Sequence, residues 1–195
     1  IDETTDGRGS NGAFHIYTGF TMNKNIPSNQ FVLEYATRPP LARIFYEDVL
    51  MATFFYGAKV LIENNKYGIA RYFESRGYSG YLMDRPKSLS TGNGNIKVKT
   101  KGIPSNSSEI IQSHAQAIES YIHHHVGYDE EGNAGKMFFD RTLNDWINYR
   151  ITKRTKYDLT ISSGLALLAS QNYVKPKPRS NTSDKQFFRR FKFNS

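Results

Sequence analysis

The chain has 195 residues, enough for one domain with a full core, and no apolar run approaches the roughly 20 residues that span a bilayer. It contains no cysteine, which excludes disulfides and thiolate zinc sites and fits a reducing compartment. A net charge of +8 favours a polyanionic partner, because each phosphate neutralised by a cation releases counterions.

Residues 1–12, IDETTDGRGSNG, are polar, turn-rich and without a leader-like pattern. AFHIYTGF then reads as a strand, NKNIPSNQ as a turn and FVLEYATR as a second strand, together an antiparallel hairpin. Pro39 and Pro40 precede a helix, in which Leu41, Ile44, Phe45, Val49, Leu50 and Phe54 fall at helical spacing up to Gly57. AKVLIE is a continuous apolar run, the pattern of a strand covered on both faces. YGIARYFESRG predicts a second helix ending at Gly77, and GYLM a further short strand. The order from 13 to 83 is β-β-α-β-α-β, an α/β class with a mixed sheet flanked by helices.

Residues 84–105 change character. Gly92, Asn93 and Gly94 mark a turn and IKVKTK alternates with lysine, which predicts a β-ribbon or loop with one basic face. Arg85, Lys87, Lys97, Lys99 and Lys101 lie between Asp84 and Glu109 with no acid among them. A helix is expected over about 107–125, a short one in FDRTLNDWINYR, and a small-residue helix over 158–171. Residues 1–174 form the expected domain. Residues 175–195, with seven Lys or Arg against one Asp, are expected to be a disordered basic tail.

Glu63 closes the AKVLIE strand. An acid there is often simply solvated, while Asn64 and Asn65 suit a turn that orients it. Asp158 opens the last helix, where Asp is a preferred cap. Behind it Ser162, Ser163, Gly164, Ala166 and Ala169 permit close packing on a sheet, which would bring Asp158 toward strand ends such as Glu63's. Hard carboxylates converging at a sheet rim select Mg²⁺ or Mn²⁺ and support two-metal hydrolysis of phosphodiesters. Arg150, Lys153, Arg154 and Lys156 surround Asp158 in sequence and suit either a phosphate backbone or a solvated loop. His123, His124 and His125 point about 100° apart on a helix and do not chelate one ion together. Trp146 reads as core. The chain has no GxxxxGK[ST] phosphate loop and no nucleophile-elbow motif.

FVLEYATRPP, YGAKVLIENNKYG, YLMDRPK and RTKYDLTISSGLALLAS resemble the C-terminal nuclease domain of the large terminase subunit of tailed phages, over roughly residues 13–171. The strand end IENN and the helix YDLTISSGLALLA are the specific parts. The resemblance implies an RNase H-like fold and an endonuclease that cuts concatemeric double-stranded DNA with two Mg²⁺ or Mn²⁺ ions. It matches Glu63 and Asp158 to two of the family's acids. The third belongs to a strand preceding AFHIYTGF; IDETTDG looks like the loop after that strand, with Asp2 as the nearest candidate and Asp6 behind it. Lys66, Arg85, Lys87, Lys97, Lys99, Lys101, Lys153, Arg154 and Lys156 would grip DNA. The implied partners are an ATPase domain, a small terminase subunit and a portal. The resemblance further implies a phage-encoded protein in the host cytoplasm, with no membrane and a monomer in isolation. The alternatives are another RNase H-like nuclease, such as a junction resolvase or integrase-like enzyme, and a non-catalytic DNA-binding or portal-docking module.

Overall fold

A computed structural model of the chain describes residues 11–64, 67–86, 101–104, 108–127 and 136–171. Among them lie five α-helices and a two-stranded antiparallel sheet, a mixed α/β arrangement. Strand β1 (Gly12–Thr18) pairs with β2 (Gln30–Thr37), with a register shift between Ile16 and Tyr17. This is the hairpin the sequence predicts. Alternate side chains of β1 face opposite ways. Phe14 meets Phe45, and His15 meets Ser162. The hairpin is therefore covered on both faces.

Helix α1 (Ala42–Tyr56) covers the first face, burying Phe45, Tyr46, Val49, Leu50 and Thr53, one stripe at helical spacing. Tyr35 on β2 donates its hydroxyl hydrogen bond to Asp48 of α1 at 2.5 Å. Helix α2 (Gly68–Ser75) packs Phe73, fully buried, into the same cluster as Ile62 and Leu82. Tyr72 of α2 bonds Glu47 of α1, which locks the two helices together.

The opposite face carries α3 (Ser108–Tyr121), α4 (Asp140–Asn148) and α5 (Asp158–Gln171). Phe31, Tyr121, Leu167 and Leu168 form the buried centre there, with Trp146 packed against it. The Trp146 indole N–H donates to Ser163 Oγ at 3.0 Å, so this residue is core as expected. The small residues of α5, expected to pack on a sheet, do so at Ser162, which bonds His15 of β1, and Gly164 packs instead against α3. A Cβ on Gly164 would stand 3.2 Å from the Cβ of His114.

Two expectations need correcting. No full RNase H-like sheet is present among the described residues; the sheet there has two strands. The AKVLIE run is extended, yet among the described residues it pairs through isolated parallel bridges, Val60 with Leu82 and Glu63 with Ile103. Its neighbours are too short to extend the ladder, since a 3₁₀ turn, Ser79–Tyr81, takes in the first two residues of the expected GYLM strand. The helix expected over 107–125 is α-helical to Tyr121 and then relaxes into a π turn, Ile122–Val126, which carries the three histidines. Asp84 and Lys101, near the two ends of the stretch read as a β-ribbon or loop, pair antiparallel. The stretch between 87 and 100 and the tail 175–195 lie outside the described residues.

Candidate functional site

The position of Glu63 follows from chain geometry. Ala58 N–H donates to the Thr53 carbonyl at 3.0 Å, so the extended segment leaves from the C-terminal end of α1. Four extended residues cover about 13 Å, and eight helical residues back to Phe45 cover about 12 Å. Ile62 duly shares a cluster with Phe45. Phe45 also presses on Gly12, its ring carbon 2.5 Å from where a Cβ would stand. Glu63 is thus level with the first residues of β1, exposed at the rim.

Asp158 arrives at the same end from the other face. Its Oδ2 accepts a hydrogen bond from the backbone N–H of Asn11, immediately before β1, at 3.1 Å. Both acids selected from sequence therefore lie toward the end of the β structure at which β1 begins, approached from opposite faces. Burial raises the Asp158 carboxyl above its ordinary value, the Asn11 N–H opposes that rise, and nearby Asp145 adds to it. Asp145 was not singled out from sequence. It reaches from α4 to cap α5, accepting from Leu159 N–H at 3.2 Å, and burial raises its carboxyl as well. Two carboxylates thus stand at the N-terminus of α5, where the helix dipole favours negative charge.

A second polar chain lies under β1. His15 is buried, its Nδ1 is 2.8 Å from Ser162 Oγ and its Nε2 is 2.7 Å from Thr142 Oγ1. Thr142 Oγ1 in turn donates to Glu34 Oε2 at 2.6 Å, and Thr142 N–H donates to the same oxygen at 3.0 Å. The threonine has one hydroxyl hydrogen and spends it on the carboxylate. It must therefore accept from Nε2–H, which makes Nδ1 the acceptor for Ser162. Burial lowers the His15 pKa to about 3, so the ring is neutral at ordinary pH. Glu34 thereby caps α4 as Asp145 caps α5. The sequence signals for this chain, a histidine inside a strand and paired serines in a helix, acquire meaning only once β1, α4 and α5 are placed together.

The expected cations divide. Lys153 and Lys156 are exposed in the 3₁₀ segment Ile151–Lys156 that leads to Asp158, with Arg154 half-buried and Arg150 exposed beside them. Lys101 is tied to Asp84 at 2.8 Å and donates to the Leu82 carbonyl at 3.1 Å, so a structural role holds it at the foot of the ribbon. Arg85 is half-buried, with a shielded Nε that has no hydrogen-bond partner among the described residues. Asp2, Asp6, Lys66, Lys87, Lys97 and Lys99 lie outside the described residues.

The donors at this end are carboxylate oxygens, which suit Mg²⁺ or Mn²⁺ in kind. In number they fall short: among the described residues no three His, Asp or Glu side chains converge to hold an ion. Among the same residues no helix is long and apolar enough to cross a membrane. The chain matches no protein-family model, no curated protein and no solved structure.

Proposed function

We propose that the chain is a divalent-metal-dependent DNA endonuclease domain of RNase H-like descent, acting on double-stranded viral DNA during packaging alongside an ATPase motor, a small terminase subunit and a portal. The observation that supports this reading is the position of Asp158 beside the start of β1, directly after the cationic segment 150–156, with Glu63 exposed at the end of the extended segment on the other face of the hairpin. The parallel Val60–Leu82 bridge with α2 between its two halves gives further support, since it is a βαβ crossover of the kind mixed α/β sheets use. Glu63 and Asp158 would be ligands to Mg²⁺ or Mn²⁺, completed by donors beyond the described residues. When bound, the ions would activate water and stabilise the departing oxygen. Lys153 and Lys156 would hold the phosphate backbone without reading sequence.

Plasmid cleavage in Mn²⁺ tests the reading with Glu63→Gln and Asp158→Asn. Each variant is expected to cut at least about 100-fold more slowly, as loss of a group that stabilises developing charge does. Each should stay within about 1 kcal/mol of wild-type stability in urea, because the shape and the Asn11 contact are kept. If both cut at the wild-type rate, the site assignment fails. The shortfall in convergent ligands favours a second reading, a non-catalytic DNA-binding module. DNA binding that persists in EDTA, with no cleavage by wild type, selects it.

A further inference from the structure

His123, His124 and His125 are metal-ligating side chains outside the carboxylate end. On a regular α-helix neighbours diverge by about 100°. Here the three stand in the π turn Ile122–Val126, whose wider turn narrows the angle between neighbours. The His124 and His125 rings come within 6.3 Å, centroid to centroid, tilted by 50°. Among the described residues no such contact joins His123 to either ring. His124 is also held in one tautomer. Its Nδ1 is 2.6 Å from the Ser120 carbonyl oxygen, with Ser120 Oγ at 3.4 Å. A carbonyl can only accept, so Nδ1 carries the proton and Nε2 keeps its lone pair. An Nδ1–H bonded to the backbone, with Nε2 unprotonated, is the usual arrangement of a histidine that ligates a metal. His125 is half-buried against the Tyr121 ring, 5.4 Å away. Its carbonyl accepts from Lys136 N–H at 2.8 Å, and Tyr121 Oη donates to the Lys136 carbonyl at 2.7 Å. The turn that carries both rings is therefore fastened to the chain at Lys136.

We infer that His124 and His125 form a two-imidazole site for a late first-row transition ion, Cu²⁺ above all. With metal–nitrogen bonds of about 2.0–2.1 Å, two imidazoles on one ion have their centroids about 5 Å apart at a tetrahedral angle and about 6.5 Å apart when trans. The observed 6.3 Å lies at the trans end of that range, which suits the square-planar preference of Cu²⁺ rather than the tetrahedral one of Zn²⁺. Affinity for nitrogen donors also peaks at Cu²⁺ along the first row. The Lys136 ammonium acts on His125 and repels a cation held by charge alone, so hard Mg²⁺ is not taken here. Among the described residues no third His, Asp or Glu joins the pair, and water completes the coordination. The site shares no donor with Glu63 or Asp158, so it stands whether or not the chain cuts DNA.

The test is calorimetric titration of the full chain with CuCl₂ in excess MgCl₂, which occupies carboxylates, together with electron paramagnetic resonance of the copper. His15 and His114, the chain's other two histidines, are buried, so exposed imidazole comes from this turn alone. One equivalent of Cu²⁺ is expected to bind, with splitting from two imidazole nitrogens. His124→Gln and His125→Gln should each weaken binding at least about tenfold and leave one nitrogen, while His123→Gln should change affinity less than about twofold. Zn²⁺ should bind the wild-type chain at least about tenfold more weakly than Cu²⁺. His124 is exposed, so its variant keeps the fold and decides the matter if His125→Gln does not fold. Affinity unmoved by His124→Gln, a loss in His123→Gln as large as in His124→Gln, or a single nitrogen in the wild-type spectrum would overturn the inference. So would Zn²⁺ bound as tightly as Cu²⁺, or dimerisation driven by copper, which would place the two nitrogens on different copies.

Discussion

His114 is a buried ionisable ring. It is 2 % exposed, and neither ring nitrogen has a hydrogen-bond partner among the described residues. Burial, reinforced by the Arg154 guanidinium, lowers its pKa from 6.5 to about 4. Below pH 6.5 the unfolded chain takes up a proton that the native ring refuses until about pH 4, so stability is full above that window and falls as pH drops through it. His15, lowered to about 3, acts in the same direction. Asp145 and Asp158, raised by burial, act in the opposite one. His114→Leu is expected to reduce the loss of stability between about pH 7 and pH 4.5 by on the order of 2 kcal/mol. Urea titrations at the two pH values measure it, and an unchanged difference would mean that His114 does not titrate as its burial requires. At this scale Glu63 and Asp158 were legible because each ends or opens an element recognisable in the sequence. Glu34, Asp145 and His15 were not, because their partners lie 108, 14 and 127 or more residues away.

Among elements, the helices follow the sequence closely. The expected 158–171 helix coincides with α5, and the 41–55 stripe with α1 at Ala42–Tyr56. A helix closes its hydrogen bonds locally, so periodicity and a stop residue define it. A strand depends on its neighbours, and the AKVLIE run could not announce that its neighbours would be 81–83 and the segment around Ile103. Those contacts turn on Gly102, whose φ is 71° and where an added Cβ would stand 2.3 Å from the Ile62 carbonyl oxygen. A side chain there meets both left-handed backbone strain and rigid backbone. Gly102→Ala is expected to cost about 2–3 kcal/mol. It should also speed amide exchange at Ile103 and Asn64, whose N–H groups bond Ile62 and Ile103. Unaltered exchange at those amides would show that segment 101–103 docks without this close approach.

At the scale of the whole molecule, the two apolar clusters sit on opposite faces of one hairpin, and charge is left to the periphery. The net +8 makes electrostatics the expected source of affinity for DNA. Log affinity should fall linearly with log salt, with a slope near −0.9 per phosphate contacted. Lys153→Gln with Lys156→Gln should lower the magnitude of that slope by about 1–2. A salt-independent affinity, or a slope unmoved by the pair, would remove the 150–156 segment from the DNA interface. The antiparallel pairing of Asp84 with Lys101 has an architectural consequence too. The excursion from 85 to 100 departs and returns at adjacent points, closed by an ion pair at its base. Loop-closure entropy rises only with the logarithm of length, about 0.6 kcal/mol per doubling. That stretch is therefore an exchangeable cassette: it can be shortened, lengthened or replaced by a reporter peptide while the register of the strands beneath it stays fixed.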